Sequence, residues 1–465
     1  MLKTIIIKEL QNHFYSLRFL ISLFIVVLIF GIGTPGVVKT IKTEQDQYAQ
    51  FQQNKAEAFK RVASDNLTKL AIKGTNHQFN PRSNRIISDC NEITLPNKIT
   101  YSAYNVFGFD VSLGSINPLL KKSHALTWSF VVIMILSFLA LLFAFDSISG
   151  EKENKTLALS LSNSISRGSL LFGKFISIIS LLLLIEFLGV LVGLIIILIS
   201  GGIQLDAHFI LDCFGFLILS LLCISSFTAF GMLSSVLARN SNVSLLISLS
   251  IWLLFVIIIP NSAVYLAMKV FPIDSAYQVQ QSIDQDREAL NNAAPKGSWS
   301  SRDNDPFLPN HELRANLQMS FLQSKKKHRD AYSSDMMRQF EKTRNLTLIS
   351  PVALFDYSTE AFLGGGYFRF RKNWDDLHVY QEQFLAYFKE VDMADEGSPH
   401  WYNPYEAYST TSQSVDPETV PVYSEKASSF GESLTFMLKY VIILIIYTGV
   451  IFSLCFVFFM RYDPR

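Results

Sequence analysis

Charge is scarce in this sequence. Only 17% of its 465 residues are Asp, Glu, Lys or Arg, against about 25% in a soluble domain. Lys and Arg number 40 and Asp and Glu 39, so there is no basic excess of the kind that binds nucleic acid. The four cysteines, Cys90, Cys213, Cys223 and Cys455, are scattered, three of them in apolar runs. That excludes a visible disulfide framework. Signatures of catalysis are missing too. His311-Glu312 has no second His at the spacing of an HExxH zinc site, and the other histidines of the polar regions, His77, His328, His378 and His400, are dispersed. Gly168 to Lys174 reads GSLLFGK, which fits the glycine and lysine spacing of a P-loop. However, Phe175 stands where Ser or Thr would bind magnesium, and no strand precedes the stretch. The chain itself is therefore expected to bind no ATP and no other cofactor.

What the chain does have is apolar length. It is 49% hydrophobic with a mean hydropathy of +0.27. A helix crosses the bilayer core with about 20 apolar residues, and six runs are long enough: 19–38, 126–145, 175–199, one within 209–237, 243–266 and 437–460. The expected fold class is an all-α membrane protein with six transmembrane helices. The first run has no small-residue cleavage site, so it reads as a retained span. Before it, Leu2, Ile5, Ile6, Leu10 and Phe14 recur at helical spacing. Residues 1–18 are thus expected to form an interfacial helix, the alternative being the first turns of the span itself.

Two large polar insertions separate the spans, 39–124 and 269–432. Asp46 to Lys73, Gln278 to Ala293 and His311 to Arg344 have helical composition. Gly74 to Asn117 looks irregular or β-like, and His400 to Ser428 looks extended. Ser350 to Leu363 fits an amphipathic helix returning to the membrane surface, ended by Gly364, Gly365 and Gly366. The expected product is a large, mostly helical domain on one side of the membrane.

The polar loop 146–174 fixes the orientation. It carries Lys152, Lys155, Arg167 and Lys174, and short basic loops stay in the cytoplasm. Six spans then place both termini in the cytoplasm and both insertions outside. Lys39, Lys42, Lys121 and Lys122 argue the other way, but long polar regions translocate largely regardless of charge. The expected location is a bacterial inner membrane.

The same loop resembles that of the permease subunits of type-2 ABC exporters. The residues that carry the likeness are Asp146, Gly150, Glu151, Thr156, Leu157, Ser166, Arg167, Gly173 and Lys174, with Lys8-Glu9-Leu10 and Phe230 to Arg239 in support. One departure is Asn154-Lys155, where many members have a glycine before Thr156. The large insertions resemble those of the multi-copper-enzyme-maturation and gliding-motility branch. The resemblance implies a coupling helix at Gly150, Glu151, Thr156, Leu157, Leu161 and Arg167, docked on a separate ATP-binding subunit that holds ATP and magnesium. Leu157, Leu159 and Leu161 would bury into that partner, with Glu151, Lys152 and Arg167 at the rim. It also implies a second permease, identical or paralogous, within membrane lipid. An extracytoplasmic protein partner would be the object of mechanical work if transport is not the output. The competing classes are a membrane-anchored scaffold or receptor, and a membrane hydrolase using outer histidines.

Two features lie within the third run. Glu186 is an acid deep in a span, which costs a few kcal/mol unless it is paired or faces water. It either lines a translocation path or dimer seam, or is a neutral acid hydrogen-bonded to a nearby serine. Gly189 and Gly193 form a GxxxG pair that admits another helix closely. The aromatics Trp299, Trp374 and Trp401 fit either a ligand surface or a domain core.

Overall fold

A computed structural model describes residues 2–65, 67–90, 92, 95–107, 125–162, 166–293, 309–402, 414–426 and 428–462. Six helices in it are long and apolar enough to cross a membrane. A short helix, α1 (Leu2–Phe14), precedes them and breaks at Tyr15-Ser16, where the Ser16 hydroxyl caps α2 (Leu17–Ala63). The second span begins as α4 (Trp128–Phe130), passes through a π segment (Val131–Leu136) and ends as α5 (Ser137–Ala144). The third is α8 (Arg167–Ser200) and the fourth α9 (Ala207–Leu237). The fifth runs through α10 (Ser241–Trp252), a second π segment (Leu253–Ile258) and α11 (Ile259–Val270); the sixth is α16 (Phe430–Arg461). Trp252, the residue before the second π segment, donates Nε1 to Oγ of Ser137, the residue after the first, at 3.0 Å.

The first span corrects the sequence expectation. It does not end near Val38 with a separate helix beyond; α2 runs unbroken for 47 residues with Pro35 inside it. From Val37 on there is no Pro or Gly, and Gln, Lys, Glu and Ala are good helix formers that carry the helix forward. At 1.5 Å per residue the rod is about 70 Å long, more than twice the apolar core of a bilayer. Its far half is one wall of the polar domain.

The rest of that domain comes from both insertions. α3 (Leu67–Ile72) leads into a three-stranded antiparallel sheet of β1 (Thr75–Gln78), β2 (Lys98–Ser102) and β3 (Asn105–Phe107), with Thr75 opposite Tyr101 and Thr100 opposite Phe107. The second insertion adds α12 (Ala276–Ala293), α13 (Pro309–Thr347), α14 (Pro351–Phe362) and α15 (Gly366–Met393). Its core is aromatic: Phe370, Trp374, Tyr380, Phe384 and Phe388 of α15 pack with Tyr101 and Tyr423. Trp374 is thus a core residue at 4% exposure, and Trp299 lies outside the described residues.

α14 does not lie on the membrane surface, as an amphipathic helix would. It is buried along most of its length and wedges between spans. Phe355 packs on Phe216 of α9, Tyr357 on Tyr440 of α16, and Ser350 Oγ donates to Phe255 O at 2.6 Å. The small residues Ala353, Ser358, Thr359 and Ala361 let it nest this deeply. Gly364 and Gly366, at φ 63° and 57°, then turn the chain into α15, a conformation that glycine adopts without Cβ strain. The buried pair Arg344–Glu360, at 2.8 Å, ties α13 to α14. Arg344 also stacks 3.9 Å from the Tyr357 ring.

Candidate functional site

The loop between the second and third spans folds as two short helices, α6 (Ser149–Glu153) and α7 (Thr156–Ser162). Every span in the bundle is bonded to it or flows from it. The second span runs straight into the loop, and α8 leaves it behind an N-cap in which Ser166 Oγ accepts from Ser169 N at 3.1 Å. From the first span, Arg18 pairs with Asp146 at 2.7 Å.

The fourth span is held at its last turn. Ser235 Oγ accepts the backbone N–H groups of Ile148 and Ser149 at 2.9 and 2.8 Å. Lys152 Nζ donates to Val236 O at 2.5 Å and to Ala238 O at 3.1 Å. The fifth span is held at its start, where Glu153 accepts from Ser241 N and Ser244 Oγ donates to Phe145 O at 2.6 Å. For the sixth, Arg167 Nη1 donates to Met460 O at 2.9 Å and Tyr462 O at 2.8 Å. The charges follow the helix dipole: bases at the carbonyl ends of α9 and α16, an acid at the amide end of α10.

α1 is pinned to the same place. Lys174, 6% exposed at its side chain, bridges Glu9 of α1 at 2.9 Å and Glu151 of α6 at 2.7 Å. A Cβ on Gly173 would lie 2.7 Å from Ile5 Cγ2, so glycine there lets α1 lie against α8. Gly173 and Lys174 therefore serve helix packing inside one continuous helix. A cavity of about 260 Å³ remains beneath the loop, lined by Glu9, His13, Asp146, Glu151 and Lys174. Burial holds the His13 imidazole below its ordinary pKa.

These contacts change the roles expected of several residues. Glu151 and Arg167 both have partners within the chain. Glu151 is committed to Lys174, and Arg167 to the end of α16, because a buried lysine and bare helix carbonyls take the nearest opposite charge. Leu157 is 2% exposed and belongs to the bundle core, whereas Leu159 is 67% exposed. The Leu161 side chain lies outside the described residues. Gly150 sits in ordinary contact with Asp146 and Ser241. Thr156 opens α7 at the surface, and its hydroxyl donates to Glu151 O at 3.4 Å. Lys155, where the sequence departs from a glycine, has a left-handed backbone at φ 58°. Sequence reasoning missed Arg18, Ser235 and Glu9 as partners; the one available signal was a lysine at the head of an apolar helix, which needs an acid.

Deeper in the bundle, Glu186 is 0% exposed and accepts from Ser220 Oγ of α9 at 2.8 Å. Gly189 and Gly193 serve packing within the chain. A Cβ on Gly189 would lie 2.8 Å from the Phe30 ring, and one on Gly193 2.7 Å from Trp128.

Six apolar helices, tied together at one end by a short loop, define a polytopic membrane protein. The chain belongs to the ABC-2 family of transporter proteins, whose family model matches residues 3–464. It is also similar to the probable ABC transporter permease protein NosY of Stutzerimonas stutzeri, with 36% identity over 128 residues. That match covers 27% of this chain and 45% of NosY, less than half of the relative's length.

Proposed function

We propose that this permease couples ATP hydrolysis by a separate ATP-binding subunit to export, or to mechanical work on an extracytoplasmic partner. The chain itself is not an enzyme and binds no cofactor; ATP and magnesium belong to the partner. Loop 146–174 and both termini face the cytoplasm, and the polar domain faces outward. A second permease, identical or paralogous, completes the transporter in a bacterial inner membrane.

The observation that carries this reading is that loop 146–174 is bonded to all six spans. A force applied to it reaches each span through hydrogen bonds and ion pairs rather than through one neighbour. α7 and the turn before it present side chains outward, with Leu159 on the exposed face of α7. Because Leu157 and Glu151 face inward, substitutions there test folding, and Leu159 tests docking.

A photo-crosslinking amino acid at Leu159 should capture an ATP-binding subunit in intact cells, and the same probe at Leu157 should not. Leu159→Asp should abolish co-purification of that subunit while leaving the permease in the membrane. Capture of no ATPase at Leu159, or labelling of the loop by an impermeant reagent from outside, sinks the reading in favour of a scaffold or receptor.

A further inference from the structure

The polar domain forms an open cleft of about 1240 Å³ between the far half of α2, the sheet and α15, with Lys60 and Lys426 at its exposed mouth. Small-molecule sites run to about 300–1,000 Å³, so this space admits a ligand of lipid or cofactor size. Its wall on α2 is one helical face, Gln45, Tyr48, Gln52, Lys55 and Phe59, spaced three and four residues apart. A face meant to fill a core would be aliphatic. This one alternates amide, phenol and ammonium, the composition of a wet, amphipathic lining.

The charges in the chamber are unequally engaged. Glu425 is forked by Arg369 at 2.6 and 2.8 Å. Asp212 accepts from Asn84 at 2.8 Å, and Asp206 caps α9. Among the described residues, Lys55, Lys60 and Lys426 line the chamber and form no ion pair; Glu418 is the remaining acid. Lys55 lies over the Tyr101 ring at 5.7 Å. His77 is 3% exposed, lines the same space, and its Nε2 has no hydrogen-bond partner among the described residues. Spare donors and cations beside aromatic rings call for an acceptor-rich anion joined to an apolar body. The opposite wall includes Gly201, Gly202 and Ile203, the turn between the apolar helices α8 and α9. The chamber therefore reaches the turn between two of the spans.

We propose that this chamber binds an amphipathic organic phosphate of net negative charge. Lys55, Lys60 and Lys426 hold the phosphate, and the aromatic wall of Tyr101, Tyr380 and Tyr423 holds the apolar part. A phospholipid and a soluble organic phosphate share this chemistry. The assignment is independent of any ATP-binding partner.

The test uses the full-length chain, purified in detergent and stripped of lipid. It is titrated with phosphatidylglycerol, with phosphatidylcholine and with glycerol 3-phosphate, and adducts are followed by native mass spectrometry. The expected result is one saturable phosphatidylglycerol adduct. Its affinity falls at least tenfold in the double variant Lys55→Ala/Lys60→Ala. Gln52→Trp, which fills the chamber without changing charge, loses the adduct, and both variants keep the parent melting temperature in the absence of lipid. Competition by glycerol 3-phosphate upholds the site with a soluble phosphate as its source. Lack of competition upholds it with lipid as the source. Phosphatidylcholine binding as tightly as phosphatidylglycerol, or an adduct unchanged in both variants, overturns the proposal.

Discussion

At the loop end of the bundle, the spans are joined by polar bonds to helix ends: Lys152 on the carbonyls of α9, Arg167 on those of α16, Glu153 on the first amide of α10. At the opposite end they are joined by bulk. α14 is buried among α9, α16 and the fifth span, and an aromatic core stands above it. Polar bonds at helix ends are directional and individually modest, so that end can shift as a set of hinged links. An aromatic core is close-packed and resists deformation, so the domain end moves as a body. Under the proposed coupling, the loop end would receive displacement and the domain end would carry it.

That contrast predicts where damage should be greatest. Arg344→Met leaves Glu360, 3% exposed, buried without its cation, at a cost of about 3–5 kcal/mol. Thermal unfolding in detergent should show a large loss with the polar domain melting first; an unchanged midpoint would mean that α14 is not held by this pair. Lys174→Met should cost less, roughly 2–3 kcal/mol. Glu9 and Glu151 keep side-chain exposures of 17% and 22% and can hydrate. Hydrogen exchange should quicken in α1 and α6 and stay unchanged in α15. Exchange that rises evenly over the whole chain would erase the distinction between the two ends.

Acid should separate the ends as well. Burial lowers the His77 pKa from 6.5 to about 4. A depressed pKa contributes stability that is complete above the unfolded value and is lost as protons bind the unfolded chain first. The polar domain should therefore weaken as pH falls from 6.5 towards 4, and His77→Phe, retaining the ring contacts with Phe79 and Tyr423, should flatten that slope. The smallest effect is a gain. Lys155→Gly relieves a left-handed residue and should stabilise the loop by about 1 kcal/mol, seen as slower proteolysis between α6 and α7.

The membrane architecture was legible because six apolar runs have a length that only a bilayer explains. The loop was legible as a polar interruption with a familiar residue pattern. Its bonding was not. Lys152 and Arg167 reach backbone carbonyls, which no side-chain pattern marks, and Lys174 meets Glu9 across 165 positions. The unbroken α2 was obscured by Pro35 and its neighbouring glycines, which usually end a helix. α15 corresponds to no expected element, although Phe370, Trp374, Leu377, Phe384 and Phe388 are buried along it at near-helical spacing.

The continuity of α2 has a mechanical consequence. One rigid arm of about 70 Å starts beside Arg18 at the loop, crosses the apolar layer and ends inside the opposite domain. A tilt of about 10° at its base would carry its tip, and the domain packed on it, through roughly 12 Å at that length. Its leverage comes from running unbroken from the bundle into the polar domain, so a flexible insertion near residue 42 would leave both ends folded and disconnect them.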